Sequence, residues 1–287
     1  MLLLLFLIYL LFLHSNTQLD KFTNMDITIF NVGQADSQII ELYSNDNKYR
    51  IMVDFGKYNI PNISNKTFDL CVVTHSHMDH YSSECQNLNL VYCETIMISN
   101  DDIDCINNYI DKYNPKVITA EINDDFSINN VKIIVKSVKH SCSDDKNKCS
   151  IGLYFEFDKF KYFTAGDLPN IEESQLDINK INVFKVSHHG SSTSSKEDFL
   201  NKIQPDVCII SSELTTKDCI PTVETIENLK LECNEILMTG ELNNKCNNYN
   251  DIYQYNIHNN GDVKIKYLID DNYYYIKSNK IDKKYYL

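Results

Sequence analysis

Thr74-His75-Ser76-His77-Met78-Asp79-His80 closes the apolar run Phe68 to Thr74 with four potential metal ligands in six residues. Three imidazoles and a carboxylate packed this closely would repel when protonated and have little structural use without a partner. On a turn leaving a strand, His75 and His77 can face one cation while Asp79 and His80 turn toward a second. A two-metal site with centres about 3.5–4 Å apart needs that arrangement. Further along, Phe163-Thr-Ala-Gly166-Asp167-Leu168 ends a strand-like run with a carboxylate able to bridge two cations, although Gly-Asp dipeptides usually make turns. His140, just after the run Val131 to Val138, is the natural third imidazole for the cation at His75 and His77. Val186-Ser187-His188-His189-Gly190-Ser191 offers two adjacent imidazoles, and extended neighbours point to opposite sides. One of the pair can enter a metal's ligand set while the other contacts substrate or moves a proton. His189 is expected in the first role and His188 in the second, beside Asp79 as the group that orients or deprotonates the nucleophile.

Each motif needs an element to aim it. Asp26 to Asn31, Ser37 to Leu42, Arg50 to Asp54 and Phe68 to Thr74 are short β-branched or apolar runs divided by polar turns, and they predict four strands ahead of the first motif. A second set is expected at Val131 to Val138, Ile151 to Phe157, Lys161 to Thr164, Val183 to Ser187 and Val207 to Ser211. Helical periodicity marks Asp101 to Tyr113, Ser195 to Ile203 and Thr222 to Leu231, the last preceded by Pro221. No linker, internal repeat or charge block interrupts residues 25–269, which read as one domain. Residues 270–287, rich in Tyr, Lys and Asn, read as a tail, either an edge strand or a solvated end.

The 287 residues carry 40 acidic against 27 basic side chains, a formal charge of -13, with Arg50 the sole arginine. That balance argues against a large phosphate-tracking surface and leaves room for a local basic patch. Leu2 to Leu13 are twelve consecutive apolar residues before a polar stretch. A bilayer-crossing helix needs about 20, so residues 1–18 read as a signal peptide and not as a stable span, and the mature chain is expected to be secreted. Ten cysteines without a C-x-x-C pair suit disulfides in an oxidising compartment better than a zinc ribbon. Cys142/Cys149, Cys85/Cys93 and Cys219/Cys233/Cys246 are spaced as loop staples, while Cys71 and Cys208, inside apolar runs, read as small buried thiols. Asn62-Ile63-Ser64 and Asn65-Lys66-Thr67 are acceptor sequons for glycosylation.

The ordered set Asn31-Val-Gly33-Gln-Ala-Asp36-Ser, Ile51-Met-Val-Asp54-Phe-Gly56, Thr74 to His80, Ala165-Gly-Asp167 and Ser187-His-His-Gly-Ser191 resembles the metallo-β-lactamase superfamily, and within it the hydrolase domain of ComEC competence proteins. The resemblance spans residues 25–269. It implies an α/β fold, a four-layer αββα sandwich with a dinuclear site at one sheet edge. By position it implies His75, His77 and His140 on one divalent ion, Asp79 and His80 on the other, and Asp167 on both, with Zn2+ favoured and Mn2+ the alternative. Where many relatives carry a late His-Pro-His, this chain has Cys219-Ile220-Pro221-Thr222, so the second ion's last ligand must come from elsewhere. His189 or His188 can supply it, with Glu213 or Cys219 as poorer substitutes. The chemistry implied is attack on phosphorus or a carbonyl by water that loses its proton between the two cations. A phosphoester substrate, nucleic acid included, is the leading expectation. Amide or lactam hydrolysis is a second reading, and a catalytically weak metal- or ligand-binding protein a third.

Overall fold

The computed structural model describes residues 20–58, 61, 63–99, 104–214 and 219–287. The expected signal peptide and Asn62 lie outside these residues. Among the described residues the chain first lays down β1 (Asn24–Ile29), β2 (Ser37–Tyr43), β3 (Lys48–Phe55) and β4 (Thr67–Val73). A short helix, α1 (Met78–Tyr81), leads to β5 (Tyr92–Ile98), α2 (Asp104–Tyr113) and β6 (Lys116–Thr119). The second half comprises β7 (Val131–Ser137), β8 (Gly152–Phe157), β9 (Phe160–Thr164), α3 (Asn170–Ser174), β10 (Val183–Lys185), α4 (Glu197–Ile203), β11 (Val207–Ile210), α5 (Val223–Glu232), β12 (Glu235–Met238) and α6 (Tyr249–Tyr253). It ends with β13 (Val263–Leu268), β14 (Tyr273–Lys277) and β15 (Asp282–Tyr286).

Two sheets result, one ordered β15-β14-β13-β1-β2-β3-β4-β5-β6 and the other β12-β11-β10-β9-β8-β7. Apolar alternation decides how they stack. Ile27, Ile40, Val53, Val72 and Ile265 of the first sheet share one buried cluster with Ile133, Leu153, Phe155, Val183 and Ile209 of the second, so the inner faces pack against each other. The opposite face of the first sheet (Met52, Cys71, Val73, Ile96) packs on Ile106 and Tyr109 of α2. The opposite face of the second (Phe163, Phe184, Cys208, Ile210) packs on Phe199, Leu200, Ile226 and Leu229 of α4 and α5. Three cores between four layers make this an αββα sandwich.

Two departures from the sequence reading have physical reasons. The strands β5, β6 and β12 were not expected: β6 is a mostly exposed four-residue edge, and β5 and β12 carry charged residues, Glu94 and Glu235, in their runs. Cys71 and Cys208 are not free thiols. β5 lies parallel to β4 and brings Cys93 to Cys71, while the end of α5 brings Cys233 to Cys208. Cys85–Cys105, Cys142–Cys149 and Cys219–Cys246 complete the set, and no described cysteine is free. Of the two readings of the tail the strand is the one observed: residues beyond 269 form β14 and β15 at the edge of the first sheet, and their Tyr274, Ile276 and Tyr285 enter the inter-sheet core. Phe160 of β9 stacks on Tyr267 and meets Tyr274 across that core at ring-centroid distances of 5.4 and 5.1 Å.

β3 through β6 are mutually parallel, as are β9 through β12. The carboxyl ends of parallel strands leave a crevice where loops diverge. The histidine motif follows β4, Asp167 follows β9, and His188 and His189 follow β10, so three motifs far apart in sequence meet at this end.

Phe184, fully buried and in ring contact with Phe163 and Phe199, ties the second sheet to its helix layer. Phe184→Ala is expected to cost about 3–5 kcal/mol in urea unfolding. A loss below about 1 kcal/mol would show that this contact does not hold the layer.

Candidate metal centre

The centre is built outward from Thr74, whose backbone N–H and hydroxyl donate to the two carboxylate oxygens of Asp54, each at 2.9 Å. Asp54, the penultimate residue of β3, has φ 58°. That bond fixes the turn after β4, and α1 then turns Asp79 and His80 inward. Gly166 lets the loop after β9 come close: with φ +50°, any Cβ there would stand 2.6 Å from Thr74 Oγ1. His188 N–H donates to the Gly166 carbonyl at 3.0 Å, joining the loops that carry Asp167 and the paired histidines. His188 and His189 both have φ 52°, an unfavourable left-handed conformation for residues with a Cβ. That conformation sends the two rings in different directions, as extended neighbours would also have done.

His189 is buried. Its Nδ1 donates to the Ser211 carbonyl at 2.9 Å, which leaves Nε2 3.4 Å from Asp79 Oδ2 and 3.5 Å from Asp167 Oδ1. His80 repeats the pattern: Nδ1 lies 2.7 Å from Asp54 Oδ2 and Nε2 3.2 Å from Asp167 Oδ1. His75 Nε2 and His77 Nδ1 are 3.1 Å apart, near the roughly 3.3 Å edge of a tetrahedron with zinc–nitrogen bonds. Asp167 Oδ2 is 3.8 Å from His75 Nε2 and 3.7 Å from His188 Nε2. His188 is the more open of the pair, its Nδ1 2.8 Å from Thr193 Oγ1.

Two ligand groups therefore share Asp167. One is His75, His77 and Asp167, the other Asp79, His80, Asp167 and His189, each with its ligand atoms within 4.8 Å of one another. The residues fit divalent cations on a specific observation. His80 Nε2, His189 Nε2 and Asp167 Oδ1 are buried without a hydrogen-bond partner, although such atoms are costly to leave unpaired. The opposite nitrogen of each imidazole is anchored to a carboxylate or carbonyl, as metal-binding histidines generally are.

Electrostatics are consistent with a cation-seeking site. Burial opposes charge on Asp167, yet His189, His80 and His188 around it hold its carboxyl well below the usual range. Asp79 is likewise held low, with burial outweighed by the adjacent His189 and His80 imidazoles. Burial is also opposed at His80, where Asp167 and Asp54 raise the imidazole well above its ordinary value, and at His189, raised to about 8 by Asp167 and Asp36. His75 goes the other way, lowered by burial and by His80.

His140 is the expected ligand that the structure does not bring in. Its Nε2 lies 3.0 Å from Glu121 Oε2, and it is in neither ligand group. The reason is local: the register of β7 shifts between Val135 and Ser137, and the next residues are drawn outward, Lys139 to Glu172 and His140 to Glu121. Cys219 is unavailable as a substitute ligand because it is bonded to Cys246. Three residues behind the ligands had no role in the sequence reading. Lys185, fully buried, pairs with Asp36, which stands 3.6 Å from His189 Nδ1. A lone lysine in the apolar run Val183-Phe-Lys-Val186 was the available signal. Glu173 of α3 is fully buried and accepts from the Ser195 N–H at 2.5 Å, so it clamps the far end of the His188–His189 loop.

The ligands open on a cavity of roughly 1110 Å³ lined by His77, Asp79, Asp167 and His188, with Asn31, Lys57, Tyr58 and Glu213 among its other walls. The four layers are those that the resemblance to the metallo-β-lactamase superfamily implies. No family model matches the chain. Over 101 residues, 33% of this chain, it is 30% identical to ComE operon protein 3 of Bacillus subtilis (strain 168), and that stretch spans only 13% of the relative's length. A protein of Parabacteroides distasonis ATCC 8503 described as a metal-dependent hydrolase superposes with TM-score 0.49 at 18% identity, over 75% of this chain and 93% of that one. The metallo-β-lactamase fold protein YhfI of Bacillus subtilis gives 0.48 at 10% identity, over 76% and 96%.

Two outcomes follow. His77→Ala is expected to lower bound metal per chain while His140→Ala leaves it unchanged, read by elemental analysis after dialysis; equal losses would place His140 back among the ligands. Burial raises the Glu173 carboxyl to about 7 from an ordinary 4.5, partly offset by Ser187 and Ser195. The folded state therefore holds this proton more tightly than the unfolded chain, so the contribution is full below pH 4.5 and lost as pH rises through about 7. Glu173→Gln should be relatively more stable at pH 8 than at pH 5, by about 2–3 kcal/mol in urea midpoints compared with the parent. A pH-independent difference would refute it.

Proposed function

We propose that the protein is a secreted metal-dependent phosphodiester hydrolase that holds two divalent cations, Zn2+ in first place and Mn2+ as the alternative. The observation that carries this reading is Asp167, whose two oxygens face separate histidine groups while Oδ1 and two imidazole nitrogens stay buried and unpartnered. Mixed imidazole and carboxylate ligands suit zinc. Bound divalent cations would supply positive charge for phosphoryl oxygens and lower the pKa of water.

The remaining steps belong to the chain's own side chains. Asp79 faces the cavity, stays ionised and accepts a hydrogen bond from the attacking water, fixing its direction. His188 opens on the same cavity beside Asp167. A Thr193 hydroxyl donating to its Nδ1 would leave Nε2–H free to donate a hydrogen bond to a phosphoryl oxygen. Lys57, at the cavity wall, favours an anionic substrate over a neutral amide. Five disulfides support export to an oxidising compartment, and the exposed Asn65 sequon suits the same route.

The purified chain should hydrolyse bis(p-nitrophenyl) phosphate, lose that activity to chelator and regain it with Zn2+ or Mn2+. His189→Ala should lower both metal content and activity, the latter about 100-fold. His188→Ala should retain the metal while kcat falls about 100-fold or more. Metal-loaded protein that cleaves no phosphodiester would overturn the reading.

A further inference from the structure

The outer face of β13, β14 and β15 is uncovered by any described helix, and its side chains are unusual for a chain of charge -13. Alternation buries Val263, Ile265, Tyr267, Tyr274, Ile276 and Tyr285 between the sheets and turns the intervening residues outward. Cross-strand register arranges these outward residues in rows. Lys264 stands opposite Lys277, which stands opposite Asp282; Lys266 stands opposite Tyr275, which stands opposite Lys284; Tyr273 stands opposite Tyr286. Lys264, Lys266 and Lys277 are exposed, and Tyr286 is 74% exposed. Lys284 Nζ lies 3.5 Å from the centre of the Tyr273 ring. Tyr273 in turn meets Tyr275 at 5.2 Å and Tyr286 at 6.2 Å between ring centres.

Edge protection explains lysines on β15, because charge there discourages pairing with another chain. It does not explain Lys264 and Lys266, two strands in from the edge, or the tyrosine rings lying between the lysines. Four outward lysines, Lys264, Lys266, Lys277 and Lys284, against Asp282, with Asp26 of β1 opposite Lys266, leave a local positive surface on an acidic protein. Aromatic rings interleaved with cations are what a single-stranded nucleic acid uses: bases stack on the rings while phosphates meet the ammonium groups. The position is apt as well. Asp262, next to β13, accepts from the Asn31 N–H at 2.9 Å, and Asn31 lines the metal-centre cavity, so the Lys264/Lys277 end of the face adjoins the cavity rim.

We infer that the outer face of β13 to β15 binds single-stranded nucleic acid and feeds it toward the cavity; the feeding, though not the binding, rests on the phosphodiesterase reading above. Binding of a fluorescent oligothymidylate of about 16 nucleotides to the full chain, with chelator present to prevent cleavage, tests it by anisotropy. The parent should bind, with affinity falling as salt rises. Lys264→Glu with Lys266→Glu should weaken binding at least tenfold and reduce the logarithmic salt slope by about 1.4, two phosphate contacts being lost. Tyr275→Ala with Tyr286→Ala should weaken it at least fivefold with the slope retained. A charge-matched control, Lys180→Glu with Lys245→Glu away from the face, should bind like the parent, and circular dichroism confirms that each variant folds. The inference fails if the parent binds no oligonucleotide or if the face variants bind as tightly as the control. It also fails if the lysines capture phosphatidylglycerol vesicles and not the oligonucleotide. Binding that depends on the face, in a protein that cleaves no phosphodiester even with metal, upholds the face and removes the hydrolase.

Discussion

Asp167 is the constraint around which the rest of the structure is arranged. A buried carboxylate is tolerated only with compensating charge, and this one is met by His75, His80, His188 and His189 from two separate loops. Each of those imidazoles needs its own anchor to stay aimed inward. Asp54 holds His80, the Ser211 carbonyl holds His189, and Asp36 beside His189 requires the buried Lys185 in turn. The dependence continues into the fold. Asp54, Lys185 and Ser211 sit at or just past the ends of β3, β10 and β11, so relative placement of the two sheets sets the distances at the site. Protons on His80 and His189 and divalent cations compete for the same lone pairs, which couples metal affinity to pH.

What the sequence revealed followed from locality. His75, His77, Asp79 and His80 are legible because four ligands fall on one turn after a strand. Asp167 carries little signal alone and gains meaning only once the first motif is recognised, whereas the adjacent imidazoles of His188 and His189 stand out beside that motif. His140 has the right type and the right position after a strand, yet its destination depends on a bulge in β7 and on Glu121, neither of which spacing encodes. Lys185 and Asp36 lie 149 residues apart in the chain, and only the stacking of two sheets makes them a pair. The strands beyond residue 269 were obscured by their composition. Tyrosine and lysine come there in runs, Tyr273-Tyr274-Tyr275, Lys283-Lys284 and Tyr285-Tyr286, so no apolar/polar alternation marks which side chains face the core.

The charge of -13 argues against a broad basic footprint, but affinity for a polyanion is set where it touches. Net charge is a sum over the surface, and the Debye length of about 8 Å at physiological salt hides most of that sum from any one patch. A face with lysines in three strands therefore stays locally attractive on an acidic protein, while distant carboxylates slow approach and limit nonspecific capture elsewhere.

The site is intrinsically destabilising, and the distribution of disulfides answers that. Consecutive left-handed residues at His188 and His189 cost about 1–3 kcal/mol each, and the buried carboxylates behind them add desolvation. The loops that bear this strain carry none of the cross-links themselves. Cys71–Cys93 and Cys85–Cys105 fasten the layer outside the first sheet, and Cys208–Cys233 and Cys219–Cys246 fasten the layer outside the second. Their closures span 20–27 residues, for which chain entropy gives about 3 kcal/mol apiece. Cross-linking the outer layers stiffens the scaffold while leaving the loops that carry Asp167 and the paired histidines unbridged except by hydrogen bonds. A binding site that exchanges protons for cations needs both properties: rigid strands to hold its distances, and loops free enough to admit ligand.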